Sequence, residues 1–165
     1  MNRRFLKLSS FVLALTLVVA PLTGCGQKKE KEDDFNGIPE AVYVDDQYRV
    51  FYEIFTGSFS DANGDGTGDI RGIINRLDYL NDGDPSTHDD LGITGIWLTP
   101  IFESPSYHKY DVKNYYKIDP EFGTEDDLKE LAEECHKRGI KLIIDLVLNH
   151  TSNKNDWFKK FEKAH

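Results

Sequence analysis

The chain has 165 residues, 39% of them apolar, and a formal net charge of -9. That length suits one ordinary domain, and the acidic balance argues against a nucleic-acid phosphate surface as partner. Its two cysteines cannot support a disulfide framework.

Residues 1–25 read as an export segment. Arg3, Arg4 and Lys7 form a basic start, and Phe11 to Ala20 is an apolar run too short to span a bilayer. The segment ends in Leu22-Thr23-Gly24-Cys25. This ending resembles the bacterial lipobox, in which the cysteine is lipidated and becomes the mature N-terminus. An ordinary signal peptide with a chance cysteine is the alternative. One acylated terminus holds a protein at a membrane without spanning it. The expectation is an extracytoplasmic protein, anchored through Cys25 to the bacterial cell membrane. Residues 26–40 are charged and nearly free of apolar side chains, as in a flexible polar tether. The folded part is expected to start near Ala41.

Val50 to Phe55 is aromatic and β-branched and reads as a strand. A Gly/Asp/Asn loop follows from Thr56 to Asp69. Ile70, Ile73, Ile74, Leu77 and Leu80 then fall at helical spacing. Asn81 to Asp90 is a polar connector, and Ile93 to Leu98 a second buried strand stopped by Pro100. An aromatic-rich loop spans Ile101 to Gly123. Thr124 caps a helix that carries Glu125, Asp126 and Asp127 in its first turn. Leu128, Leu131, Ala132 and Cys135 share one face of it, and Gly139 ends it. Ile140 to Leu148 is a third strand. The order predicts parallel strands joined by right-handed crossovers. Three such strands do not close a barrel, and no turn or terminal signal marks Lys160 to His165. A piece of a larger protein is expected. A small open α/β domain is the alternative and would leave sheet edges unpaired.

Three groups of residues bear chemistry. Asp61, Asn63, Asp65 and Asp69 place oxygen side chains at loop positions 1, 3, 5 and 9, and Thr67 offers a carbonyl at position 7. Hard Ca²⁺ takes such oxygens. Position 12 is Gly72 rather than a bidentate Glu, and no helix precedes the loop, so it is not an EF-hand. A Gly/Asp turn without an ion is the other reading. The second group, Tyr107-His108-Lys109-Tyr110-Asp111, follows the second strand. The Tyr110 ring suits stacking on a pyranose, and His108 and Asp111 suit its hydroxyls. Packed surface anchors explain the same composition. The third group is Asp145-Leu146-Val147-Leu148-Asn149-His150, an acid inside an apolar strand followed by an amide and an imidazole at its end. Ligands are handled at that end of parallel strands. A strand-end Asp bonding loop N–H groups, beside a structural His, is the plainer reading. Cys135 lies on an apolar helix face and reads as core.

Together these segments resemble the α-amylase superfamily, glycoside hydrolase family 13, from about Val50 to Phe158. Ser58 through Ile73 resembles the calcium loop of its oligo-1,6-glucosidase and related amylase branches. Gly95 to Ile101 resembles the second barrel strand, Tyr107 to Asp111 the loop at the –1 sugar site, and Asp145 to His150 the first conserved region. The resemblance implies a (β/α)₈ TIM barrel acting on α-glucosidic bonds with retention, of which residues 41–149 are about three of eight units. Residues 150–165 would begin a small inserted domain. Tyr110 would stack under the –1 glucose, His108 and His150 would hydrogen-bond it, and Asp145 would organise the subsite. Asp111 contacts the terminal glucose in the exo-acting branch. Asn149 matches a position that binds a second calcium in many α-amylases, an ion that branches with the first calcium loop often lack. Retaining glycosidases need two carboxylates close together. In this family they follow strands four and five, so no acid here takes those roles and the 165-residue polypeptide is expected to be inactive. The partners implied are starch or malto-oligosaccharides. An exo-acting α-glucosidase, or a non-catalytic glucan-binding protein on the same scaffold, are the alternatives.

Overall fold

The computed structural model describes residues 44–164. Cys25 and the tether lie outside the described residues. A 3₁₀ turn (Asp46–Tyr48) leads into β1 (Phe51–Ile54). Two short helices follow, α1 (Thr56–Phe59) and α2 (Ile70–Ile74), then α3 (Leu77–Leu80) and β2 (Gly95–Leu98). Next come β3 (Phe102–Glu103), β4 (Asn114–Ile118), α4 (Glu125–Lys137), β5 (Lys141–Ile144) and α5 (Asp156–Ala164).

β1, β2 and β5 form a three-stranded sheet in the order β1-β2-β5, with parallel pairing throughout. Register sorts the side chains into two faces. Ile54, Leu98 and Ile144 lie in one row, with Tyr52, Ile96 and Leu142 on the same side two residues earlier. That face packs into a core with Ile70, Ile73, Leu77, Leu131 and Cys135. Burial pushes the Cys135 thiol up to about 12, as befits a core side chain. The opposite face carries Phe51, Trp97 and Ile143, which are 45%, 42% and 45% exposed. Arg49 staples the start of the sheet. Its buried guanidinium donates to the carbonyls of Val44 (2.7 Å), Thr94 (2.9 Å) and Gly139 (3.2 Å).

Four departures from the sequence reading have physical causes. The helix expected over 70–80 is tightened at Asn75 and Arg76, where the Arg76 N–H bonds the Ile73 carbonyl three residues back. The third strand stops at Ile144 rather than Leu148. The Asp145 N–H still bonds the Leu98 carbonyl at 2.9 Å, but β2 then reaches Pro100, which has no N–H to extend the ladder. Residues 101–123 are not merely loop: β3 and β4 pair antiparallel within them. Ala132 is exposed, and the buried face of α4 narrows to Leu131 and Cys135. The Thr124 cap is present as a reciprocal box. The Thr124 hydroxyl accepts the Asp127 N–H, and Asp127 accepts the Thr124 N–H at 2.9 Å.

Candidate active site

The site gathers where the parallel strands end. Asp145 is the first residue past β5, and its two oxygens have separate partners. Oδ1 accepts the indole N–H of Trp97 at 3.0 Å, and Oδ2 accepts the Tyr110 hydroxyl at 2.7 Å. The carboxylate thus joins β2, β5 and the loop between β3 and β4. The hydrogen bond to Asp145, with some burial and the negative charge itself, pushes the Tyr110 phenol up to about 12. Tyr110 therefore stays a neutral donor at every physiological pH, with its ring 40% exposed.

The loop carrying Tyr110 is braced from within. His108 is exposed, and its Nδ1 accepts the Tyr110 backbone N–H at 3.0 Å. Its ring lies 5.3 Å from that of Tyr107 and 6.0 Å from that of Tyr110. Asp111 Oδ1 accepts the hydroxyls of Ser104, at 2.8 Å, and Ser106. Burial pulls this carboxyl upward, but the two serine hydroxyls outweigh it and hold the pKa below the ordinary range. Its contribution to stability is full above the ordinary carboxylate value and is lost as pH falls through the lowered folded value. Lys109, between His108 and Tyr110, is 3% exposed. Its ammonium meets Asp119 at 2.9 Å and Glu121 at 2.6 Å.

His150 is exposed at the edge of the same region. Its carbonyl accepts the Tyr115 hydroxyl at 2.8 Å, which also lies 2.5 Å from the Val147 carbonyl. Tyr115 in turn stacks on Trp157, with centroids 5.8 Å apart and planes 15° apart. The structure thus joins Asp145 directly to Tyr110 and links His108 to them through the loop. Asp111 is tied to Ser104 and Ser106, and His150 is held from β4. The exposed Asn149 amide lies 3.5 Å from the His150 Nδ1.

The oxygen-rich loop is wound on itself. Asp61 accepts the N–H groups of Gly64 (2.6 Å) and Gly66 (2.8 Å), Asn63 accepts that of Asp65 (2.8 Å), and Asp65 accepts that of Thr67 (2.8 Å). The N–H bonds from Gly66 and Gly64 hold the Asp61 carboxyl below its ordinary range. Asp69 is buried and does two further jobs. Oδ1 caps α2 through the Gly72 N–H at 2.6 Å, and Oδ2 accepts the Ala62 N–H at 3.1 Å. Among the described residues no three His, Cys, Asp or Glu converge as a metal-holding group. The donors nevertheless suit a hard cation, because every one is oxygen and each carboxylate oxygen keeps a second lone pair.

Reasoning from sequence passed over Trp97, Tyr115, Ser104, Ser106 and Lys109. Trp97 had a signal, since an indole N–H placed in an apolar strand has to find an acceptor. Tyr115 had one in the aromatic run of Asn114 to Ile118.

The model of the α-amylase catalytic domain matches residues 53–165. The chain belongs to the α-amylase family. Within that family it is similar to alpha-amylase 3 of Dictyoglomus thermophilum, with 48% identity over 109 residues, which cover 66% of this chain and 20% of that protein. It is 49% identical to the oligo-1,6-glucosidase of Bacillus cereus over 116 residues, 70% of this chain and 19% of that protein. Among solved structures, the α-amylase from H. orenii shares 60% identity at a TM-score of 0.69, over 70% of this chain and 24% of that one. The chain spans about a fifth of the length of the family members it matches. Its three parallel strands are part of the family's (β/α)₈ barrel, and Phe51, Trp97 and Ile143 lie on the face away from the packed helices.

Proposed function

We propose that this chain supplies the substrate-holding part of an enzyme that cleaves α-glucosidic bonds of starch or malto-oligosaccharides with retention, as an α-amylase. The observation that carries this reading is the Trp97–Asp145–Tyr110 network at the strand ends. It fixes an aromatic face beside a carboxylate, with the exposed His108 ring 6.0 Å from that of Tyr110, which suits a neutral, hydroxyl-rich pyranose. Tyr110 stacks on the ring, His108 and His150 bond its hydroxyls, Asp145 organises the same subsite, and Asp111 contacts the terminal glucose where the enzyme is exo-acting. Isothermal titration with maltotriose tests it: the chain binds and Tyr110→Ala loses the heat. Equal heats from both proteins would remove the reading.

The 165-residue polypeptide alone is expected to release no reducing ends from starch. Retention needs two carboxyl groups about 5–5.5 Å apart, and the family resemblance places both after strands four and five of the barrel. A second reading, an exo-acting oligo-1,6-glucosidase, is favoured by the similar identity to proteins of that name. Comparing isomaltose with maltotriose as ligands separates the two.

Ca²⁺ is proposed at Asp61, Asn63, Asp65, Thr67 and Asp69. Bound there it would neutralise the loop carboxylates and hold the loop against α2. Millimolar Ca²⁺ is expected to raise the melting temperature of the chain, and Asp61→Ala to remove most of that rise. An equal rise in both proteins would exclude the loop. The chain is further proposed to be anchored to the outer side of a bacterial membrane through Cys25. Among the described residues no helix is long and apolar enough to cross a membrane. Metabolic labelling with palmitate tests the anchor, with incorporation expected in the native chain and none in Cys25→Ser.

A further inference from the structure

We propose that Lys109 is a positioning residue that fixes the tautomer of His108, so that the imidazole meets the sugar as an Nε2–H donor. The ligand in this statement rests on the sugar-binding reading above. The tautomer rests on the loop alone.

Lys109 has φ of 63°, the one described non-glycine residue in the left-handed region. A lysine adopts that backbone only when its surroundings over-determine it. Here they do. The side chain is 3% exposed, its ammonium is paired with Asp119 and Glu121, and the charge lies 5.0 Å from the centroid of the Phe122 ring. Asp119 is itself fixed, because it accepts the N–H groups of Ser104 and Glu121, each at 3.1 Å. The turn at Lys109 reverses the chain so that the Tyr110 N–H returns to His108 Nδ1 at 3.0 Å.

That bond decides where the imidazole proton sits. A backbone N–H only donates, so Nδ1 must offer its lone pair. A neutral imidazole carries one proton, which then resides on Nε2. The Ser106 hydroxyl gives its hydrogen to Asp111, so its oxygen could only accept from Nδ1, and at 3.3 Å it is the longer contact against the 3.0 Å bond from the Tyr110 N–H. If Nδ1 carried the proton and donated to Ser106, the Tyr110 N–H would face another N–H and lose its acceptor. The site thus divides its labour. Asp145 and Asp111 present oxygens that accept, while His108 presents a hydrogen to a sugar oxygen.

Long-range ¹H–¹⁵N correlation spectra of the full chain, taken above the pH at which imidazole titrates, read the tautomer directly. The expected result is a pyrrole-type nitrogen at His108 Nε2 and a pyridine-type nitrogen at Nδ1, in a ratio of about tenfold over the other tautomer, as one hydrogen bond provides. The reverse pattern overturns the proposal. Lys109→Met removes the ammonium that pins the turn and is expected to bring the two tautomers near parity. Lys109→Gly enters the left-handed region without strain and restores the bias, a rescue that a purely structural lysine would not produce. If Lys109→Met fails to fold, judged by amide dispersion, Lys109→Gly still decides, because loss of the bias there refutes the role of the turn. Titration with maltotriose separates this inference from the functional reading. A shift at His108 Nε2 supports the donor role. An intact tautomer that maltotriose leaves unmoved removes the sugar and retains the turn.

Discussion

Gly72→Ala is expected to destabilise the chain by about 3 kcal/mol, the upper end of the cost of overpacking, read as a lowered urea midpoint at unchanged slope. Propensity alone forecasts the opposite sign, since alanine in a helix interior gains up to about 1 kcal/mol over glycine. The structure reverses it. A Cβ on Gly72 would stand 1.9 Å from the Ser60 carbonyl oxygen and 2.5 Å from its carbon, both backbone atoms that no rotamer change can move. Ser60 is also where the Asp69 N–H is bonded, at 3.0 Å, so shifting it loosens the cap that starts α2. Gly68 is pressed equally hard against the Thr56 carbonyl, where a Cβ would stand at 2.2 Å. Gly64 and Gly66, on the same loop, have nothing within 4 Å and serve through positive φ alone. A Gly72→Ala protein as stable as the native chain would show that α2 does not sit against α1 as described.

Asp145→Ala is expected to return the Tyr110 phenol from about 12 toward its ordinary value near 10, followed by ultraviolet absorbance during alkaline titration. The same substitution is expected to weaken maltotriose binding about 10- to 100-fold. It frees the Tyr110 hydroxyl that positions the stacking ring, and one hydrogen bond to an ionised group contributes roughly 1.5–3 kcal/mol. Asp145→Asn separates charge from shape. Its carbonyl still accepts one donor and its amide offers hydrogens to the Tyr110 oxygen, so affinity falls less while the phenol still drops. An unchanged phenol in Asp145→Ala would detach Tyr110 from Asp145 and with it the network on which the site is built.

The legible parts of this chain were those governed by local chemistry. Thr124 and Asp127 announced their helix start, because a capping box is a relation between neighbours. The oxygen positions of Asp61 to Asp69 and the strand-end Asp145 were equally visible. Less visible were features that depend on a distant partner. β5 ends at Ile144 because of Pro100, more than forty residues earlier, which no window around Leu148 contains. The pairing of Trp97 with Asp145 requires knowing that β2 and β5 are neighbours. Nothing in the sequence around Lys109 marks it as buried. Its burial depends on Asp119 and Glu121 folding back over Phe122. The hairpin of β3 and β4 was masked because Phe102–Glu103 is too short to show any alternation.

Tyr115 gives α5 a say in events at the strand end. One face of its ring rests on Trp157, and its hydroxyl is held against the carbonyls of Val147 and His150. The Ser152 N–H and the Asn155 amide both return to the Val112 carbonyl, at 2.9 and 3.4 Å, sewing the same stretch to the hairpin. Residues 147–157 and β4 are therefore expected to open together, with amide hydrogen exchange at a shared free energy as the measurement that checks it. The backbone that carries His150 at the strand end thus leans, through Tyr115, on a helix several residues downstream.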